Sequence, residues 1–241
     1  MSSKTEVKFY LPSGVPMHFV IIPAGTFLMG VNTNDEHKVK LEKSFMLGKF
    51  PVTRIQAWPT KEEAESLPDA NLPVSQISHD QAQNYCDNLS EYFNKKVRLP
   101  TEAEWEYACR AGTTTKYAFG DDITTDQAHF YENSGQPFLM PVGNFPPNAW
   151  GLHDMHGNVW EWCADNYRAK LKNWWIEDDK IDVNPLVKSD IKHKRIAGGF
   201  SFVVRGGCGK AAKSCCSSDY RSARKSHENY DCGFRLVIEL D

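Results

Sequence analysis

The chain has 241 residues, a formal net charge of −3 at pH 7 and 41% hydrophobic residues. This length and apolar content suffice for a sizeable core and predict a single domain over residues 1–241. The nearly balanced charge argues against a nucleic-acid-binding protein, which would carry a strongly basic face. No apolar run approaches the roughly twenty residues that span a bilayer, and the first residues contain no hydrophobic signal core, so we expect a soluble chain without a transmembrane segment.

The N-terminal third predicts short strands. Residues 19–30 form a run that Pro23 and Gly25 interrupt. This favours two short strands, with Pro23 and Gly25 supplying the turn between them. A further strand is expected over residues 43–48. Residues 51–53 then predict a turn into a short helix.

Two capping boxes predict the main helices. Ser78 and Gln81 have capping-box spacing and precede apolar residues at helical intervals, so a helix is expected up to about Asn94. Thr101 and Glu104 repeat this spacing ahead of a second helix that ends near Gly112. Arg98, just before this helix, is expected to pair with one of its glutamates.

Beyond Gly112 the chain is rich in glycine, proline, asparagine and aromatic residues, which favours short strands and long structured loops. Its seven cysteines include no CxxC pair, so neither a complete disulfide framework nor a zinc site is indicated. Cys86 and Cys109 lie on the apolar faces of the two predicted helices and are expected in the core.

Four segments carry a family resemblance. They are IPAGTFLMG at residues 22–30, RLPTEAEWEYACRAG at 98–112, NAWGLHDMHGNVWEW at 148–162 and GFRLV at 233–237. In this order they resemble the formylglycine-generating-enzyme (sulfatase-modifying factor) family. The resemblance implies an α+β fold of the irregular C-type-lectin-like type, with two main helices, short antiparallel strands and many long loops. We also expect the strands near Val20 and Leu236 to pair or lie adjacent.

The same resemblance implies a structural calcium site. Its ligands would be the side chains of Asp154 and Glu161 and the backbone carbonyls of Gly157 and Val159, a mixed oxygen set that suits Ca²⁺. The residues alone leave an alternative open, in which Asp154 caps a turn and Glu161 pairs with an arginine. His153 and His156 flank Asp154, but two loop histidines more often bond to backbone or face solvent than bind zinc.

The tryptophans of this region allow two interpretations. Trp150, Trp160 and Trp162, with Trp174 and Trp175 beyond, could form an aromatic platform for a sugar or cation. The spacing of Trp160 and Trp162, however, places both on one side of a strand, which favours the core.

The cysteine pattern separates the chain from the oxidases of the family. Those enzymes hold copper with a C-x4-C pair, and soft thiolates suit that metal. None of the spacings among Cys208, Cys215, Cys216 and Cys232 reproduces this pair. We therefore expect no copper and no catalytic residue, and fold alone does not decide function.

A second branch of the family consists of the variable proteins made by diversity-generating retroelements, among them a treponemal one. In that group a variable segment precedes the terminal Gly-Phe-Arg strand, as residues 198–232 do here. The resemblance implies a ligand-binding surface in this segment. Its expected members are Phe200, Phe202, Val203, Val204, Gly209, Asp219, Tyr220, His227, Asn229, Tyr230 and Asp231.

Two functions therefore stay open. The first is a non-enzymatic protein that binds an unknown protein or cell-surface ligand through its C-terminal segment, since binding residues commonly lie on loops of a rigid scaffold. The second is a copper-dependent oxidase of the formylglycine-generating type, or an inactive relative of it. The resemblance implies a cell-surface location, with a cytoplasmic location as the alternative.

Overall fold

The computed structural model describes residues 6–31, 33–57, 69–132, 135–168, 181–188, 201–228 and 230–240. In this part of the chain the strands are short and the helices few. The strands are β1 Glu6–Tyr10, β2 Pro16–Ile22, β3 Gly25–Met29, β4 His37–Leu41, β5 Phe45–Gly48, β6 Val97–Arg98, β7 Trp160–Asn166, β8 Asp182–Val183, β9 Ser201–Arg205, β10 Arg221–Lys225, β11 Cys232–Gly233 and β12 Val237–Glu239. The helices are α1 Arg54–Ala57, α2 His79–Phe93 and α3 Glu102–Arg110, with a 3₁₀ turn at Lys213–Cys216.

The first sheet has the order β1-β2-β5-β12-β6 and joins the two ends of the described chain. Val20 of β2 and Val237 of β12 both lie opposite Leu47 of β5, one on each side. The two terminal strands therefore share a sheet, but β5 separates them, so the expectation that they pair or lie adjacent is wrong. All four residues of β5 are buried, which is the pattern of a central strand covered on both faces.

The second sheet has the order β10-β9-β7-β11 and carries the C-terminal segment. β9 pairs antiparallel with both β7 and β10, whereas β11 runs parallel to β7. A third sheet, β3-β4-β8, completes the described strands. No helix within the described ranges is long and apolar enough to cross a membrane.

Both predicted capping boxes are present. The Ser78 hydroxyl accepts from Gln81 N at 3.1 Å, and the Gln81 side chain accepts from Ser78 N at 2.9 Å. Thr101 and Glu104 make the same reciprocal pair at 3.1 and 2.8 Å. Since such caps satisfy amides that the helix itself leaves unpaired, both helices begin where the sequence predicts.

Helix α3 is buried over its whole length, so its three glutamates need partners inside the protein. Each takes a different arginine. Glu104 receives a two-pronged bond from Arg98, as expected. Glu102 binds Arg221 in the same way, and Glu106 binds Arg205 and Arg110. The pairs of Arg205 and Arg221 hold one face of the second sheet, the inner face, against α3, whereas Arg98 belongs to β6 of the first sheet.

Candidate functional site

The two faces of the second sheet differ in what covers them. On the inner face, Glu161 and Arg205 lie opposite each other and bond to Trp105 and Glu106 of α3. Since successive strand residues point to opposite faces, Trp160, Phe202 and Arg224 project from the outer face. α2 and the loop before it cover only part of this outer face.

The covered part of the outer face is built on His79 of α2. Its ring stacks on Phe202 with 3.5 Å between centroids and contacts Trp162 edge-on. The Trp162 indole donates to Ile77 O at 2.7 Å. Burial lowers the pKa of His79, so this ring is neutral and acts as an aromatic packing element.

The uncovered part is centred on Trp160, which is almost fully buried but forms the base of a small surface. Tyr220 lies with its ring centroid 6.0 Å from that of Trp160, and the Arg224 guanidinium lies 5.6 Å from the indole. Arg224 also approaches Asp231 at 4.0 Å. Tyr230, next to Asp231, is 81% exposed. We call Tyr220, Arg224, His227, Tyr230 and Asp231 the C-terminal surface.

Several of the predicted ligand-binding residues have the exposure that the prediction requires. Tyr220 is 36% exposed, His227 and Tyr230 are exposed, and Asp219 and Asp231 are half-buried. Phe202 is half-buried under the ring of His79. Phe200 and Asn229 lie outside the described residues.

For three of the predicted binding residues, the prediction of an exposed side chain is wrong. Val203 and Val204 are 0% exposed, because β9 is an inner strand whose two faces are both covered. Gly209 packs so closely against Phe138 O and the His129 ring that any side chain would collide with them. These three positions form the scaffold and do not display side chains.

Cys208, Cys216 and Cys232, near the C-terminal surface, are buried thiols, whereas Cys215, which contacts Tyr220, is half-buried. Cys208 and Cys232 each contact a different oxygen of Asp231, at 3.6 and 3.7 Å. Burial raises the pKa of Cys208 to about 11 and also raises that of Cys232 and Cys216. All seven cysteines are free, and the described residues contain no group of three or more His, Cys, Asp or Glu arranged to hold a metal. At Cys208, Cys216 and Cys232 the thiolate needed for nucleophilic attack or copper binding is therefore disfavoured at neutral pH.

The predicted calcium ligands fit a cation only in part. Asp154 is buried, its Oδ2 accepts from Gly143 N at 2.8 Å, and its Oδ1 makes no hydrogen bond of standard geometry within the described chain. Burial raises the pKa of Asp154 to about 6. Such an oxygen suits a cation. Glu161, however, is already bonded through both oxygens to Arg235 at 2.6 Å, so its charge is compensated.

Of the two predicted carbonyl ligands, Gly157 O already accepts a hydrogen bond from Val159 N at 2.9 Å. The arginine pairing of Glu161 that the sequence left open is thus present. Calcium binding stays a prediction.

One structural role could not be read from the sequence. His156 is buried, its Nδ1 donates to Cys216 O at 2.8 Å, and its Nε2 accepts from Ala118 N at 3.0 Å. These partners require the neutral ring, and burial lowers the pKa of His156 to about 4. His156 therefore holds the 3₁₀ turn in place. No spacing signal connects it with residues 118 and 216.

Comparison with known proteins agrees with this architecture. Residues 11–240 match the family model described as sulfatase-modifying factor enzyme 1-like domain. The chain belongs to this family. The formylglycine-generating enzyme of Mycobacterium tuberculosis is 40% identical over 202 residues, which cover 75% of the chain and 62% of that enzyme. Serine/threonine-protein kinase pkn1 of Chlamydia caviae is 30% identical over 258 residues, covering 94% of the chain and 37% of the kinase.

The chain therefore spans roughly one to two thirds of the length of these curated relatives. Among solved structures, Treponema denticola variable protein 1 superposes with a TM-score of 0.79, covering 99% of this chain and 100% of that one. The identity in this comparison is 22%, so the likeness concerns the fold. The predicted family and α+β fold class are confirmed.

Proposed function

We propose that this domain is a non-enzymatic ligand-binding protein that recognises its partner through the C-terminal surface. The observation that carries the proposal is the exposure of Tyr220, His227 and Tyr230 beside a loosely paired Arg224 and Asp231. Exposed tyrosines combine a large contact area with a polar end, and arginine and tyrosine are enriched where binding energy concentrates. The partner is a protein or a cell-surface ligand.

The support beneath this surface is rigid. Val203 and Val204 are fully buried, and the Arg205 guanidinium donates to Asp219 O, Tyr220 O and Ser218 O at 2.7–2.9 Å. The backbone that presents Tyr220 is thus fixed from below, which lowers the ordering cost of binding. The recognition segment is therefore narrower than residues 198–232 and extends from Asp219 to Asp231.

Two further observations favour this function over catalysis. The buried thiols Cys208, Cys216 and Cys232 all have raised pKa values, which is the opposite of an activated cysteine. The fold is also similar to that of Treponema denticola variable protein 1. A cell-surface location and a structural Ca²⁺ at Asp154, Gly157, Val159 and Glu161 belong to the same proposal.

The experiment compares two triple variants on protein and glycan arrays. Tyr220→Ser, His227→Ser and Tyr230→Ser together should abolish the array signal of the wild-type protein. The control carries Tyr10→Ser, Tyr92→Ser and Tyr131→Ser, which remove equally exposed aromatics elsewhere and should leave the signal intact. Both should melt within a few degrees of wild type. Equal signals from the two variants would refute the proposal.

The alternative function is a copper-dependent oxidase of the formylglycine-generating type. It is favoured by the 40% identity to the Mycobacterium tuberculosis enzyme. The test is copper-dependent oxygen consumption with a cysteine-containing peptide. We expect none. Oxygen uptake that disappears in Cys208→Ser, Cys215→Ser or Cys216→Ser would establish the oxidase instead.

A further inference from the structure

A second candidate binding site shares no residue with the C-terminal surface. It is a cavity of about 530 Å³ at the edge of the first sheet, within the range of small-molecule sites. Its walls come from the β4–β5 turn, α2, β6, the start of α3, β12 and the segment after β8. We call it the lysine groove.

The floor and one wall of the lysine groove are apolar. Leu41, Phe45, Ala164, Leu186 and Leu240 line it. Leu41 and Phe45 are buried core residues, whereas Leu186 is 40% exposed. A leucine left open on the wall of a concave cavity offers apolar area that a ligand can cover.

The groove also carries positive charge without a counter-ion. Lys43, Lys96 and Lys188 line it and are exposed, and no ion pair is found for any of the three ammonium groups in the part of the chain that the structure describes. In contrast, Arg98 in the same lining is neutralised by Glu104 at 2.6 Å and Glu239 at 2.7 Å. Both acids that line the groove bind Arg98, and the four cations and two acids of the lining leave a net charge of +2 around the three lysines.

We propose that the lysine groove binds a small amphipathic carboxylate, with the acid group among Lys43, Lys96 and Lys188 and the hydrocarbon body against Leu186, Leu240 and Phe45. Charge complementarity selects the anionic head, since an uncompensated cation gains most from a carboxylate. The apolar floor selects the body, at roughly 25 cal/mol per Å² covered. The cavity volume suits a small molecule rather than a folded partner. This site is separate from the C-terminal surface and does not depend on its function.

The probe is 8-anilinonaphthalene-1-sulfonate, an anionic amphiphile whose fluorescence rises in apolar sites. The full chain should bind it at one saturable site, and decanoate should displace it while decyltrimethylammonium should not. Lys96→Glu with Lys188→Glu should weaken binding about tenfold or more. Lys8→Glu with Lys116→Glu makes the same change of net charge on other exposed lysines and should leave the affinity unchanged. Leu186→Ser should weaken binding without a change in melting temperature.

Three results would overturn the proposal. The groove variant and the control variant could lose affinity equally, which would assign the effect to net charge. Neutral decanol could displace the probe as well as decanoate does, which would remove the role of the lysines. An acidic peptide could displace the probe where decanoate fails, and the groove would then be a peptide site.

Discussion

Arg235 and Arg224 both approach a carboxylate of the second sheet, but their surroundings differ. Arg235 and Glu161 are fully buried and joined by two bonds of 2.6 Å, and Arg235 also donates to Gly48 O and His153 O. Arg224 and Asp231 are partly exposed and 4.0 Å apart. The first pair has its hydrogen bonds fixed in one arrangement, while in the second Arg224 bonds to Ser222 Oγ and Ala223 O at 3.0 Å and only approaches Asp231. The second sheet thus has a buried, fully paired side around Arg235 and Glu161, which we call the frame, and a partly exposed side, the C-terminal surface, around Arg224 and Asp231.

Arg235→Ala should give the largest loss of stability. It leaves the buried Glu161 carboxylate without its counter-charge, which costs about 3–5 kcal/mol of unfolding free energy. The matched change Arg224→Ala removes an exposed pair and should cost less than about 1 kcal/mol. Urea unfolding of the two variants measures both values. Equal losses would remove the distinction between frame and surface.

The pH dependence of stability should come next in size, through Asp165. Its carboxylate accepts from Glu102 N and Val187 N, yet burial raises its pKa to about 7. Because this value lies above the 3.8 of an unfolded aspartate, the fold favours the protonated acid. The contribution is complete below about pH 4 and is lost as the pH rises through about 7, by on the order of 4 kcal/mol.

The readout is the slope of unfolding free energy between pH 4 and pH 8, compared with Asp165→Asn. The variant is expected to be less stable, because its amide cannot accept both backbone bonds. Its slope in this window should nevertheless be shallower. An unchanged slope would show that Asp165 is ionised in the folded protein at all these pH values.

A smaller effect is expected from calcium. Millimolar Ca²⁺ should raise the melting temperature by about 2–4 °C relative to the chelated protein, since a ligand that binds only the folded state stabilises it. Asp154→Ala should abolish the difference. Identical melting curves with calcium and with chelator would contradict the calcium prediction. Arg235 would then be the counter-charge of Glu161.

The smallest change in unfolding free energy is expected for a residue of the C-terminal surface. Tyr230→Ser should change the unfolding free energy by less than about 0.5 kcal/mol, because the ring is 81% exposed. His79→Ser, which removes a ring stacked between α2 and β9, serves as the contrasting variant and should be clearly destabilising. A loss from Tyr230→Ser as large as that from His79→Ser would place this tyrosine in the frame.

The sequence predicted what local chemistry determines. The capping boxes at Ser78 and Thr101 depend on residues three apart, and the Arg98 pairing depends on a neighbouring helix turn, so each could be inferred from spacing. The burial of Val203 and Val204 could not, because it depends on which distant elements cover the two faces of β9: Val203 lies in the core cluster with α3, and Val204 in the cluster with α2. Likewise, the lysine groove joins residues 43, 96 and 188, which only the tertiary fold brings to one cavity.

The place of β12 between β5 and β6 has a consequence for how the protein forms. Residues 237–239, near the C-terminal end of the described chain, form the strand between β5 and β6. One edge of β5 therefore stays unpaired until these residues have been synthesised. During synthesis the nascent domain would therefore expose an apolar strand edge, a state that chaperones protect and that invites aggregation. Closing the sheet joins segments nearly two hundred residues apart, and such long-range pairing makes folding slow.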